Sequence, residues 1–266
     1  MISDWEIVES GPPDAERTVL LLPGGMNSAR SYAEIMAEPV LSGIRLVAAT
    51  LPGHVGTPAP DHFSIEANAR AASQLANDLT ADVVMGFSMG AAVAFEMVVS
   101  GAFAGPVVLA GISLSAADEP AFFRGIVRST AVLGSVPVTL LKKGAVSFLK
   151  RADIPVDRQE ELRADLEKND GRVVRHALSA YVDWLHRYTD PAQRLCDTGV
   201  PAWFVHAEKG DGGLTDHEKS VMEGCSQIHL VTLPGEVFFL PNEASAPIAE
   251  VIAEAVAQSG ASNPPR

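Results

Sequence analysis

The segment of this sequence best suited to chemistry is Gly86-Phe87-Ser88-Met89-Gly90. It follows the apolar run 82–85 and precedes the small, apolar run 89–99. A serine with glycine two residues to either side, between a buried strand and a helix, has the pattern of a very sharp strand-to-helix turn. A Cβ at either glycine position would clash in such a turn. The turn exposes the serine Oγ at the strand's C-terminal end and aims the next backbone N–H at a reacting carbonyl. Ser88 is therefore the candidate nucleophile, and Met89 supplies a candidate oxyanion donor. The competing reading is a glycine-rich turn in an α/β protein of other purpose.

A second segment, Leu20-Leu21-Leu22-Pro23-Gly24-Gly25-Met26-Asn27-Ser28, also ends a strand in a glycine-rich loop before a helix. Such a loop can turn backbone N–H groups toward an oxyanion. Gly25 is the candidate second donor, with Met26 next. No G-K-[ST] follows, so this is not a phosphate loop.

With these segments in view, the chain resembles the capped α/β-hydrolase superfamily of esterase, lactonase and C–C hydrolase type. Leu22-Pro23-Gly24-Gly25 is similar to that family's oxyanion segment, with Pro in place of His. Leu51-Pro52-Gly53-His54-Val55-Gly56-Thr57 resembles the loop usually written D-x-x-G-H-G-x-S. Gly86 to Gly90 matches the nucleophile elbow. The resemblance implies a catalytic acid after a late strand, orienting an imidazolium. Asp211, in Val205-His206-Ala207-Glu208-Lys209-Gly210-Asp211, matches best; Glu208 and Asp118 are alternatives.

The resemblance also implies a histidine after the last strand, and here the sequence departs from the pattern. Leu233-Pro234-Gly235-Glu236-Val237-Phe238-Phe239-Leu240-Pro241-Asn242-Glu243 has the strand, turn, aromatic and following helix, but no imidazole. By register the histidine falls at Val237 or Glu236. A serine hydroxyl needs a base to become a competent nucleophile near neutral pH. Val237 cannot accept a proton, which leaves Glu236 as the candidate base, given direct reach and a raised pKa. The seven histidines are His54, His62, His176, His186, His206, His217 and His229, each read first as a packing or surface residue. Three explanations stay open. The chain is a hydrolase with a divergent base, a catalytically silent ligand-binding member of the fold, or a sequence whose histidine was deliberately replaced.

These residues need a scaffold, and the hydrophobic pattern supplies one. Short apolar runs at 18–22, 45–49, 82–85, 105–111, 202–205 and 228–233 are bounded by Gly or Pro. Near-continuous hydrophobicity predicts strands buried on both faces. Helical patterns separate them at 28–36, 65–79, 89–99, 216–223 and 246–257. The alternation predicts an α/β doubly wound, mostly parallel sheet, with residues 5–9 as an antiparallel edge strand. The rhythm breaks over 116–198, where four helical patterns (119–130, 138–148, 158–168 and 172–188) and no strand occur. About 80 residues is too long for a crossover, so this stretch is read as an inserted helical cap. The core is then 1–115 with 199–258, and 259–266 is read as a disordered tail.

Composition narrows the partners. The 266 residues are 47% hydrophobic, enough for one large core. Asp and Glu number 33 against 20 Lys and Arg, a net charge of -13, which disfavours nucleic acid and anionic membranes. No signal peptide and no apolar span of the roughly 20 residues needed to cross a bilayer is evident. Cys196 and Cys225 lack metal-ligand spacing and are read as free thiols in a reducing, cytoplasmic setting. The expected partner is a small-molecule substrate or ligand, without metal or organic cofactor; oligomeric state is not legible.

Overall fold

The computed structural model describes residues 5–119, 121–210 and 213–262. Its first half builds a sheet from β1 (Ile7–Ser10), β2 (Thr18–Leu22), β3 (Arg45–Ala49), β4 (Val83–Phe87) and β5 (Val107–Ala110). Between these strands lie α1 (Ala33–Met36), α2 (Ile65–Asp78) and α3 (Met89–Val99). Five helices follow β5: α4 (Ala121–Leu133), α5 (Val136–Leu149), α6 (Val156–Lys168), α7 (Gly171–Leu185) and α8 (Pro191–Cys196). The chain then returns to the sheet with β6 (Ala202–Gly210), α9 (Asp216–Glu223), β7 (Ile228–Val237), α10 (Leu240–Glu243) and α11 (Ser245–Ser262).

The seven strands lie in the order β1-β3-β2-β4-β5-β6-β7. Only β1 is antiparallel, paired with β3. Strands β2, β4 and β5 are buried at every position, as expected for a parallel sheet covered on both faces. One face packs against α2, α3, α7 and α8, the other against α1, α10 and α11. β4, which ends at the elbow, lies in the middle between β2 and β5.

Helix ends follow local chemistry. Ser64 caps α2 through Ala67 N–H, and Asp170 caps α7 through Arg172 and Val173 N–H. Thr215 and Glu218 form a reciprocal capping box on α9. The single helix expected over 28–36 is instead a 3-10 turn (Ala29–Tyr32) followed by α1.

Three expectations are corrected. Strand β7 does not stop at 233; it continues through Pro234 and Gly235 to Val237, pairing Glu236 with Lys209 and Val237 with Gly210. An irregularity between Ala207 and Lys209 accommodates the extra turn-forming residues. Helix α11 continues past 257 to Ser262, and the buried Ser259 donates to Val256 O. Residues 263–266 lie outside those described.

Third, Cys196 and Cys225 are joined in a disulfide with Cα atoms 5.9 Å apart. Their separation of 29 residues hid the contact, which arises because α8 and α9 pack side by side. Such bridges persist in oxidising compartments, so the free-thiol ground for a cytoplasmic setting is removed. No helix among the described residues is long and apolar enough to cross a membrane.

Candidate active site

The turn after β4 has the tight geometry its glycines require. A Cβ on Gly86 would lie 2.2 Å from Gly90 O, and one on Gly90 would lie 2.1 Å from Leu22 O. Both approaches are to backbone and leave no room for any side chain. Ser88 itself sits at φ 49°, ψ -116°. A non-glycine residue at positive φ is uncommon and costs of order 1–3 kcal/mol where the region is sparsely populated. The strain is held in place on the strand side, where Ser88 N–H donates to Ala110 O at 2.8 Å. On the helix side, Ser88 O accepts from Ala91 and Ala92 N–H. The Ser88 side chain is half-buried, and its Oγ has no hydrogen-bond partner among the described residues.

The glycine-rich loop after β2 lies against this turn. Gly90 abuts Leu22 O and Pro23 O, and a Cβ on Gly25 would meet Met89 Cε at 3.2 Å. Neither Gly25 N–H nor Met89 N–H has a backbone acceptor. The two donors expected from the sequence are thus neighbours, and both are unspent. Below them, the buried Tyr32 donates to Leu22 O at 2.8 Å, fixing the end of β2; burial raises its pKa well above the usual tyrosine value.

Met26, the other residue expected to serve as donor, is committed elsewhere. Its N–H donates to His54 Nδ1 at 3.0 Å, so it is not free for an oxyanion. Met26 also has φ 66°, and its carbonyl accepts from Asn169 Nδ2 at 2.9 Å. His54 is 2% exposed, and burial lowers its pKa to about 4, so the ring is neutral with Nδ1 as acceptor.

The acid and base positions are distributed differently. Asp211 lies outside the described residues. Glu236 is the next-to-last residue of β7, opposite Lys209. Val237, opposite Gly210, is half-buried and packs with the core cluster that contains Phe87, Leu233 and Leu240. The pairing places Gly210 and Val237 side by side. Glu208 accepts from Gly235 N–H at 2.9 Å. Asp118 is occupied by Leu114 N–H, Ser115 N–H and Ser115 Oγ. It also adjoins Glu218, whose pKa is raised by burial and further by Asp118.

No imidazole is hydrogen-bonded to Ser88. His206 Nε2 contacts Thr232 Oγ1, and burial lowers its pKa. His229 stacks on Trp203, and His176 on Phe63. His217 pairs with Asp190, and His186 contacts the carbonyl of Val182. His62 is exposed in a cleft of about 620 Å³ against α7. A second cleft, of about 700 Å³, lies between α5 and α6. Neither cleft is lined by Ser88, Gly25 or Met89. Among the described residues no group of three His, Cys, Asp or Glu could hold a metal ion.

Sequence reasoning did not single out Asn169. It is 4% exposed at the end of α6 and lies 143 residues from Met26 in sequence. No spacing signal could have joined them. His54 carried a visible signal, its place in the 51–57 loop, but not its partner.

Comparison with known proteins bears on the family and the fold. The model of the alpha/beta hydrolase family matches residues 19–253. A search of curated proteins returned no match. Among solved structures, the chain is similar to a thermophilic esterase from Thermogutta terrifontis, with TM-score 0.73, 16% identity and coverage of 96% of this chain and 93% of that one. It is similar to the enol-lactonase from Burkholderia xenovorans LB400, with TM-score 0.69, 14% identity and coverage of 95% and 96%. It is also similar to MenH from S. aureus, with TM-score 0.71, 14% identity and coverage of 96% and 98%. At these identities the likeness is one of fold, whereas the family match spans most of the sequence: the chain belongs to the alpha/beta hydrolase family.

Proposed function

We propose that this protein is a carboxylic ester hydrolase acting on a small ester, lactone or related acyl compound, with Ser88 as nucleophile and no histidine base. The observation that carries the reading is the strained turn at Ser88, set against two unspent N–H groups, Met89 and Gly25. Such strain persists only where surrounding structure over-determines it, and it clusters at functional sites. Ser88 Oγ would bond to the acyl carbon while the two N–H groups take the developing oxyanion. The hydroxyl proton would pass to Glu236 or solvent and from there to the departing alkoxide as the ester C–O bond breaks, and water would then cleave acyl-Ser88 to the acid and the free serine hydroxyl. Asp211 would support a base and the α4–α8 helices would form the cap over the substrate.

Without an imidazole the expected rate is low. Triad enzymes stripped of a catalytic member retain roughly 10³–10⁴-fold acceleration over water from the oxyanion hole and binding alone. Hydrolysis of p-nitrophenyl acetate should therefore be measurable but slow, and Ser88→Ala should reduce it to background. Equal rates in the two proteins would defeat the reading.

A second reading, a catalytically silent binding protein, is favoured by one observation: Val237 packs into the core where a base is expected. Val237→His separates the two. General-base assistance contributes roughly 10²–10⁴-fold. A gain of about 10²-fold from a slow, Ser88-dependent baseline supports a hydrolase limited by its base. A gain from a baseline that Ser88→Ala does not change supports the silent reading.

A further inference from the structure

We propose that Asn169, at the end of α6 in the helical insertion, is a positioning residue for the oxyanion donor at Gly25, so that seating of the insertion sets the geometry of the oxyanion hole. The inference rests on the hydrolase reading and extends it to a residue outside the sheet domain.

Two loops meet at Asn169, and both are strained. Met26 has φ 66° and Val55 has φ 50°. For a β-branched residue such as valine a positive φ is a genuine outlier. Asn169 holds both with one amide: Nδ2 donates to Met26 O at 2.9 Å, and Oδ1 accepts from Val55 N–H at 2.9 Å. His54, beside Val55, closes the circuit by accepting from Met26 N–H at 3.0 Å. Both polar groups of the Met26 backbone are therefore occupied, one from the 51–57 loop and one from α6. Met26 follows Gly25 directly, so the orientation of its peptide is passed to the residue that packs against Met89 at the elbow.

The amide is itself well fixed. Asn169 is 4% exposed, its Nδ2 also reaches Asp165 O at 3.1 Å, and its backbone carbonyl accepts from Lys142 Nζ at 3.1 Å. The same end of α6 is tied to the loop a second time, by Ser28 Oγ donating to Asp165 Oδ2. The other end of α6 is anchored farther along the chain, by Arg158 Nε on Glu34 Oε1 at 2.7 Å and by Arg158 Nη2 on Arg30 O. Asn169 thus holds the peptide of the residue next to Gly25, whereas Arg158 meets the chain four residues and more beyond Met26. That division makes the proposal testable against plain docking.

Displacement of a catalytic group by about 1 Å can cost roughly 10²-fold in rate. The test measures the rate at which a fluorophosphonate labels Ser88, together with kcat and KM for p-nitrophenyl acetate, in the parent protein, Asn169→Ala, Asn169→Asp and Arg158→Ala. Hydrogen exchange over residues 22–27 is followed in parallel. Asn169→Asp is nearly isosteric and keeps the acceptor for Val55 N–H, but it offers Met26 O no donor. Both Asn169 variants should lose about 10- to 100-fold in labelling rate and kcat, keep KM within about threefold, and exchange faster over 22–27. Arg158→Ala should label at the parent rate even where its melting temperature falls as far. Parent-like labelling in Asn169→Asp would overturn the proposal, as would an equal loss in Arg158→Ala. A parent protein that is not labelled at Ser88 overturns the hydrolase reading and this proposal with it, whereas loss of labelling only in the wrong variant overturns this proposal alone.

Discussion

Ser88 and the residues touching it show what chemistry demands of individual positions. The elbow was legible in sequence because its constraint is steric and local: a Cβ on Gly86 or Gly90 would lie 2.2 or 2.1 Å from a backbone oxygen, and only glycine fits. Met26 was misassigned for the opposite reason. A loop N–H looks free in sequence until its acceptor, here His54, is found 28 residues away. His54 carries a stability consequence. It is neutral when folded, with a pKa of about 4 against an ordinary 6.5. Between those values the unfolded chain binds a proton that the folded chain does not, so stability falls as pH drops from 6.5 to 4 and levels off below. The full difference is about 3 kcal/mol. Urea midpoints of the parent protein and His54→Asn, compared at pH 7 and pH 4.5, should converge on acidification. A constant gap would contradict a buried neutral imidazole.

At the scale of elements, the strands and their order-bearing helices were readable because burial on both faces leaves a continuous apolar run bounded by Gly or Pro. β2 and β3 occupy the residues expected of them, as does α9. Ends were less legible where pairing overrides a turn signal. Pro234-Gly235 reads as a stop, yet β6 beside it keeps β7 extended to Val237. That extension places Val237 within a strand instead of in a free loop, and it narrows what Val237→His can achieve without movement of the strand end. The disulfide between α8 and α9 was illegible because side-by-side packing of two helices leaves no spacing pattern. Closing a loop of this length should stabilise the fold by about 3–4 kcal/mol through the unfolded state. Cys196→Ser with Cys225→Ser should lower the melting temperature by several degrees, and reductant should lower the parent's to the same value. An unchanged melting temperature in both would show that the bridge does not form.

At the scale of the whole molecule, the sheet brings the β2 loop and the β4 elbow together, since β2 and β4 are adjacent strands. Their juxtaposition was expected from fold resemblance alone and follows from topology. The helical stretch between β5 and β6 is legible from its length and lack of strand patterns, but no pattern in it signals that α6 reaches the loop after β2. Contacts such as Asn169 to Met26 depend on where a whole layer of helices settles. The missing imidazole is the converse case, visible from sequence and unrelieved by folding: all seven histidines are placed, and none bonds to Ser88.

The proposed hydrolase stands or falls on Ser88 as its nucleophile. Intact-protein and peptide mass spectrometry after exposure to a fluorophosphonate tests it most directly. One adduct per chain, mapped to Ser88 and absent in Ser88→Ala, is the expected result. No adduct on the folded parent protein, or an adduct that persists in Ser88→Ala, would contradict it.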